Sequence, residues 1–162
     1  MPRYKNKRNL TEIAWVELTG SVHATENLEK VSIAFRNLLP PTTNNIIIQQ
    51  TALSGHHGNP VIFLTLRIEK KDQIINLLTN IANKFSPTDK QELTSEFTKR
   101  IDKDNIFYMK VDKQKAYLGE TILAEGDNTI LIKIKFKQYV KNSEKISEKL
   151  ADLGLIEAWF FD

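Results

Sequence analysis

From Thr129 to Lys137 the chain alternates without a break. Ile130, Ile132, Ile134 and Phe136 take one parity, and Lys133, Lys135 and Lys137 take the other. Successive side chains of a strand point to opposite faces, so this pattern predicts a strand with one apolar and one solvated face. The same period recurs upstream. Between Ile13 and Val22, Ala14, Val16 and Leu18 oppose Glu17 and Thr19, beside Ile13 and Trp15. Between Val61 and Glu69, Ile62, Leu64, Leu66 and Ile68 oppose Phe63, Thr65 and Arg67. Ile46 to Leu53 is a further strand candidate. Ile106 to Lys137 as a whole reads as a three-strand meander, with turns at Asp112–Lys115 and at Glu125–Asn128, where Gly126 can take a positive φ.

Strands with one apolar face need a cover, and segments with helical spacing supply it. Thr25 is placed as an N-cap, Glu26 and Glu29 suit the positive helix end, and Leu28, Val31, Phe35 and Leu38 form a stripe that Pro40-Pro41 ends. A second helix over roughly 72–84 carries Ile74, Leu77, Leu78 and Ile81. A third begins near Thr88, where Gln91 can complete a capping box, with Leu93, Phe97 and Ile101 as its stripe. The last, about 143–153, is stopped by Gly154. Sheet on one side and helices on the other predicts an α+β two-layer sandwich, a mostly antiparallel sheet with helices packed on one face. A chain of 162 residues fits one domain and buries about 70% of its unfolded surface. Residues 1–10, with Arg3, Lys5, Lys7 and Arg8, are expected to be a flexible basic lead-in to a single domain over 11–162.

Composition narrows the function classes. The absence of cysteine rules out disulfides, thiolate zinc sites and a cysteine nucleophile. There is no P-loop, dinucleotide fingerprint or nucleophile elbow. Asp102 and Asp104 flank Lys103 and make a poor two-metal site. No catalytic residue, cofactor or metal is therefore expected. No apolar run reaches membrane-spanning length, and a cytoplasmic protein is expected. The net charge of +3 is mild, so the placement of charge has to carry any argument for nucleic acid.

That placement singles out the lysine row. Three ammonium groups about 7 Å apart on one strand face, with no carboxylate interleaved along the strand, suit a phosphate track. The competing reading is an edge strand protected by lysine. Phe63, Thr65, Arg67, Tyr108 and Lys110 have the same outward parity, and Trp15 can join them. Rings that stack bases beside cations that follow a backbone suit single-stranded or looped RNA. A sheet rim or a homodimer contact would use the same aromatics. Adjacent His56 and His57 point apart on an extended segment, which disfavours a shared metal; with Asn59 they offer donors in a glycine-flanked loop.

Three segments also carry a family resemblance: Val22-His23-Ala24-Thr25-Glu26, Gly55-His56-His57-Gly58-Asn59-Pro60, and Asp112 to Glu120. In this order and spacing the chain resembles an archaeal RNA-binding family predicted to associate with the exosome, over roughly 14–155. That family is similar in fold to the large-subunit ribosomal protein that contacts 5S rRNA. The resemblance implies a ribosomal-protein-like, RNA-binding-type domain and an accessory role in RNA processing or degradation, with RNA and exosome or other processing proteins as partners. It also gives the turn at Lys113 and Lys115 a phosphate-gripping reading beside that of a plain solvated hairpin. The candidate RNA-binding residues are Arg67, Tyr108, Lys110, Lys113, Lys115, Lys133, Lys135, Lys137, His56, His57 and Asn59. The alternative is a protein-interaction or assembly subunit that docks through the sheet face or the aromatic tail Ala158-Trp159-Phe160-Phe161.

Overall fold

The computed structural model describes residues 12–43, 45–54, 60–138, 140 and 143–157. The basic lead-in, the histidine loop with His56, His57 and Asn59, and the aromatic tail at 158–162 lie outside the described residues.

The elements are β1 (Ile13–Val22), α1 (Leu28–Leu38), β2 (Gln49–Ser54), β3 (Pro60–Ile68), α2 (Lys71–Lys84), α3 (Pro87–Ser95), β4 (Ile106–Asp112), α4 (Lys113–Tyr117), β5 (Thr129–Phe136) and α5 (Ser143–Asp152). The strands form one five-stranded sheet in the order β2-β3-β1-β5-β4, and every neighbouring pair is antiparallel. One face of the sheet is apolar and buried. Val16, Leu18, Leu64, Leu66, Phe107, Met109, Ile132 and Ile134 meet Phe35, Leu38, Leu77, Leu78, Ile81, Phe97, Ile146 and Leu150 from the helical side in one core. The α+β architecture with an antiparallel sheet is as the alternation predicts.

Close approach of α1 to the sheet depends on Gly20. A Cβ at this position would lie 3.2 Å from Cε1 and Cζ of Phe35, tighter than ordinary contact. Gly154 takes φ +85° just past α5, as a C-terminal cap requires.

Several local expectations change, each for a physical reason. Asn27, not Thr25, caps α1; its side chain accepts from the Lys30 N–H at 3.1 Å. Ser86, not Thr88, caps α3 through the Asp89 N–H. That helix stops at Ser95 and does not continue to Ile101; Thr94 Oγ1 donates to the Lys90 carbonyl, Ser95 Oγ donates to the Glu92 carbonyl, and a 3₁₀ turn follows over Phe97–Arg100. A bulge between Ile13 and Trp15 shifts the parity at the start of β1, so Ile13 enters the core in place of Ala14, while Trp15 keeps its expected outward parity. The three-strand meander is two strands. Asp112 accepts from the Lys115 N–H at 2.8 Å and starts α4, and Leu123 touches the sheet through one isolated bridge to Val111.

β5 is an interior strand, paired with β1 on one side and β4 on the other. The lysine row therefore does not protect a sheet edge.

Candidate nucleic-acid interface

Register across the sheet decides which side chains meet on the uncovered face. Glu17 lies opposite Arg67 on one side and Lys133 on the other, and Lys133 lies opposite Tyr108. One transverse row therefore runs Arg67, Glu17, Lys133, Tyr108. The next runs Gln49, Thr65, Thr19, Leu131, Lys110. On the other side of the first row, Trp15 faces Lys135, which faces Ile106. Residues dispersed over 15–135 in sequence thus share one surface, because five short strands stand about 4.8 Å apart.

Contacts within the face order its aromatics and cations. The Arg67 guanidinium sits 4.3 Å from the Trp15 ring centroid, and Lys133 Nζ lies 5.9 Å from that of Tyr108. Arg67 also pairs with Glu69 at 3.3 Å and, more loosely, with Glu17 at 3.8 Å. Phe63 is exposed, and it faces Ser21 and Thr51 in the neighbouring strands. Lys135 Nζ donates to the Asp104 carbonyl.

Tyr108 is held from its hydroxyl end. Its O–H donates to Asp102 Oδ2 at 2.6 Å, and this bond, with burial and the Asp102 and Asp104 charges, pushes its pKa up to about 12. Burial raises the Asp102 pKa, but the Tyr108 hydroxyl, the Ile106 and Asp104 N–H groups and the Lys135 charge outweigh it and hold the carboxyl below its usual range. Behind Tyr108, Arg100 donates to Glu96 Oε2 at 2.7 Å and to the Tyr108 carbonyl at 3.4 Å, so the backbone there is also anchored. The ring is thereby fixed as a platform.

The structure does not gather all the expected residues. Lys137 lies just past β5, where its N–H donates to the Glu12 carbonyl and the chain turns toward Val140. Lys115 sits on α4, beyond the sheet face, and pairs with Glu120 at 3.7 Å. Lys113 is a correction. It is 3% exposed, and its ammonium donates to the Ser21 carbonyl at 2.7 Å and to both Glu26 carboxylate oxygens at 3.0 and 3.1 Å. An ammonium has three donors, and all three are taken, so no donor remains for a phosphate. His56, His57 and Asn59 fall outside the described residues. Glu17 and the clamp on Tyr108 were not anticipated. The parity of Glu17 is visible in sequence, but its place between two cations needs the strand order. Among the described residues, no cluster of three histidines, aspartates or glutamates could hold a metal.

Comparisons with known proteins identify the relatives of this chain. A family model described as RNA binding matches residues 15–136. An RNA-binding protein of Pyrococcus abyssi is 32% identical over 133 residues, covering 81% of this chain and 86% of its own. An uncharacterised protein of Methanocaldococcus jannaschii is 32% identical over 143 residues, covering 85% and 95%. Among solved structures, a protein of Archaeoglobus fulgidus, described as DUF54, superposes with a TM-score of 0.75 at 33% identity, over 87% of this chain and 99% of its own. The chain belongs to this RNA-binding family.

Proposed function

We propose that this protein binds single-stranded or looped RNA on the open face of its sheet, without covalent chemistry. Bases would stack on Tyr108, Trp15 and Phe63, and phosphates would follow Lys110, Lys133, Lys135 and Arg67. The observation that carries this reading is the juxtaposition on one uncovered face of aromatic rings, Tyr108 anchored through its hydroxyl, and cations, in a chain of an RNA-binding family. The ribosomal-protein-like character and an accessory role beside the exosome rest on the sequence resemblance and extend the same proposal.

Single-stranded RNA has splayed bases that rings can reach, whereas duplex RNA hides them in the stack. Fluorescence anisotropy should therefore give tighter binding to a 9-mer single strand than to a duplex of the same length at equal salt. Equal or tighter duplex binding would refute stacking on this face.

A further inference from the structure

At one end of the open face a cleft of ≈ 490 Å³ lies between β1, β3 and the segment that leads into β2. This is within the usual size of small-ligand sites, about 300–1,000 Å³. Its lining includes Glu17, Thr65, Arg67, Ile46, Ile47 and Gln49. Ile47, one of the residues that line it, is 78% exposed.

Glu17 is the unusual member. Its side chain is only 18% exposed, and its ion pair to Arg67, at 3.8 Å, is longer than a hydrogen bond. Among the described residues no group donates a hydrogen bond to its carboxylate. A carboxylate between Arg67 and Lys133 repels any phosphate that crosses the middle of the sheet, so it works against a pure backbone track. The part of RNA that gains from a half-buried acceptor is a base edge with donors.

We infer that this cleft is a nucleobase subsite selective for guanine, with the Glu17 carboxylate accepting from the base N1–H and N2–H together. This rests on the reading of the open face as an RNA surface. Guanine sets two donors side by side, which match the two oxygens of an ionised carboxylate. Adenine and cytosine each place a ring-nitrogen lone pair beside the amino group, and uracil flanks its N3–H with two carbonyls. Each of these turns a lone pair toward the carboxylate. Ile46 and Ile47 supply apolar surface for the plane of the base, and the nearby Arg67 follows its phosphate.

The test is fluorescence anisotropy on four labelled 9-mers: all uridine, and uridine with a central guanosine, inosine or adenosine. Wild type should bind the guanosine strand about tenfold tighter than the uridine strand, in line with a bidentate base contact. Inosine lacks the N2 amino group and should fall between them, and adenosine should show no gain. Glu17→Gln should bring the guanosine-to-uridine ratio below about two, while uridine binding tightens because a repelling charge is gone. Uridine binding without a guanosine preference in wild type, or a preference that survives in Glu17→Gln, overturns the subsite but leaves the RNA face standing. Failure of wild type to bind any of the four strands overturns both.

Discussion

Replacement of Lys113 by methionine separates a structural lysine from an RNA-contacting one. The ammonium is buried at 3% exposure between the end of β1 and the start of α1, and it satisfies the Ser21 carbonyl and both oxygens of Glu26. Removal of one partner of a fully buried ion pair costs about 3–5 kcal/mol. Glu26 keeps 24% exposure, so its carboxylate recovers some water, and the cost should settle near 2–3 kcal/mol. For a chain of this size that is a fall in Tm of roughly 5–10 °C. Urea unfolding of Lys113→Met, Glu26→Gln and the double variant should also give a coupling of at least about 1 kcal/mol. The folded Lys113→Met protein should bind single-stranded RNA with an unchanged salt slope. A stability loss below about 0.5 kcal/mol, or a slope shallower by about 0.7 as for a lost phosphate contact, would refute this reasoning.

Other outcomes follow from the geometry. In a spectrophotometric titration a tyrosine phase should appear near pH 12, and Tyr108→Phe should remove that phase. A raised pKa contributes stability in full below the ordinary value of 10, and this is lost as pH climbs from 10 toward 12. For Asp102, whose pKa is depressed, the sign is reversed. Its contribution is present above the ordinary value of 3.8 and fades as pH falls through the lower folded-state value, so Asp102→Asn should flatten the acid limb of a stability–pH profile. Gly20→Ala should cost about 1–3 kcal/mol in a denaturant melt, because the new methyl meets the Phe35 ring, and Phe35→Leu in the same chain should recover part of it.

The alternation in β3 and β5 was legible because the side-chain period of a strand is a local property, and both strands keep their expected parity. Parity failed in β1 only where one extra residue bulges out at Ala14, an event set by pairing with β5 and not by local preference. The segment after Asp112 misled because polar, turn-like residues suit a hairpin and a one-turn helix alike. The Asp112 side chain chose the helix by capping it. Basic residues at Lys113 and Lys133 look equivalent in sequence. One is buried against Glu26, 87 residues away, and the other lies on the open face. Only strand order distinguishes them, and strand order also places Glu17 between cations from two other strands.

The central claim, that the open face carries phosphates on its cations, is tested most directly by the salt dependence of single-stranded RNA binding in a Lys110→Gln, Lys133→Gln, Lys135→Gln variant. All three lysines stand on the open face of β4 and β5 and outside the core, so stability should change by under about 0.5 kcal/mol for each. Affinity should fall for all sequences alike, and the slope of log K against log salt should become shallower by about 2, at roughly 0.7 per lost contact. Wild-type affinity with an unchanged slope would contradict the account.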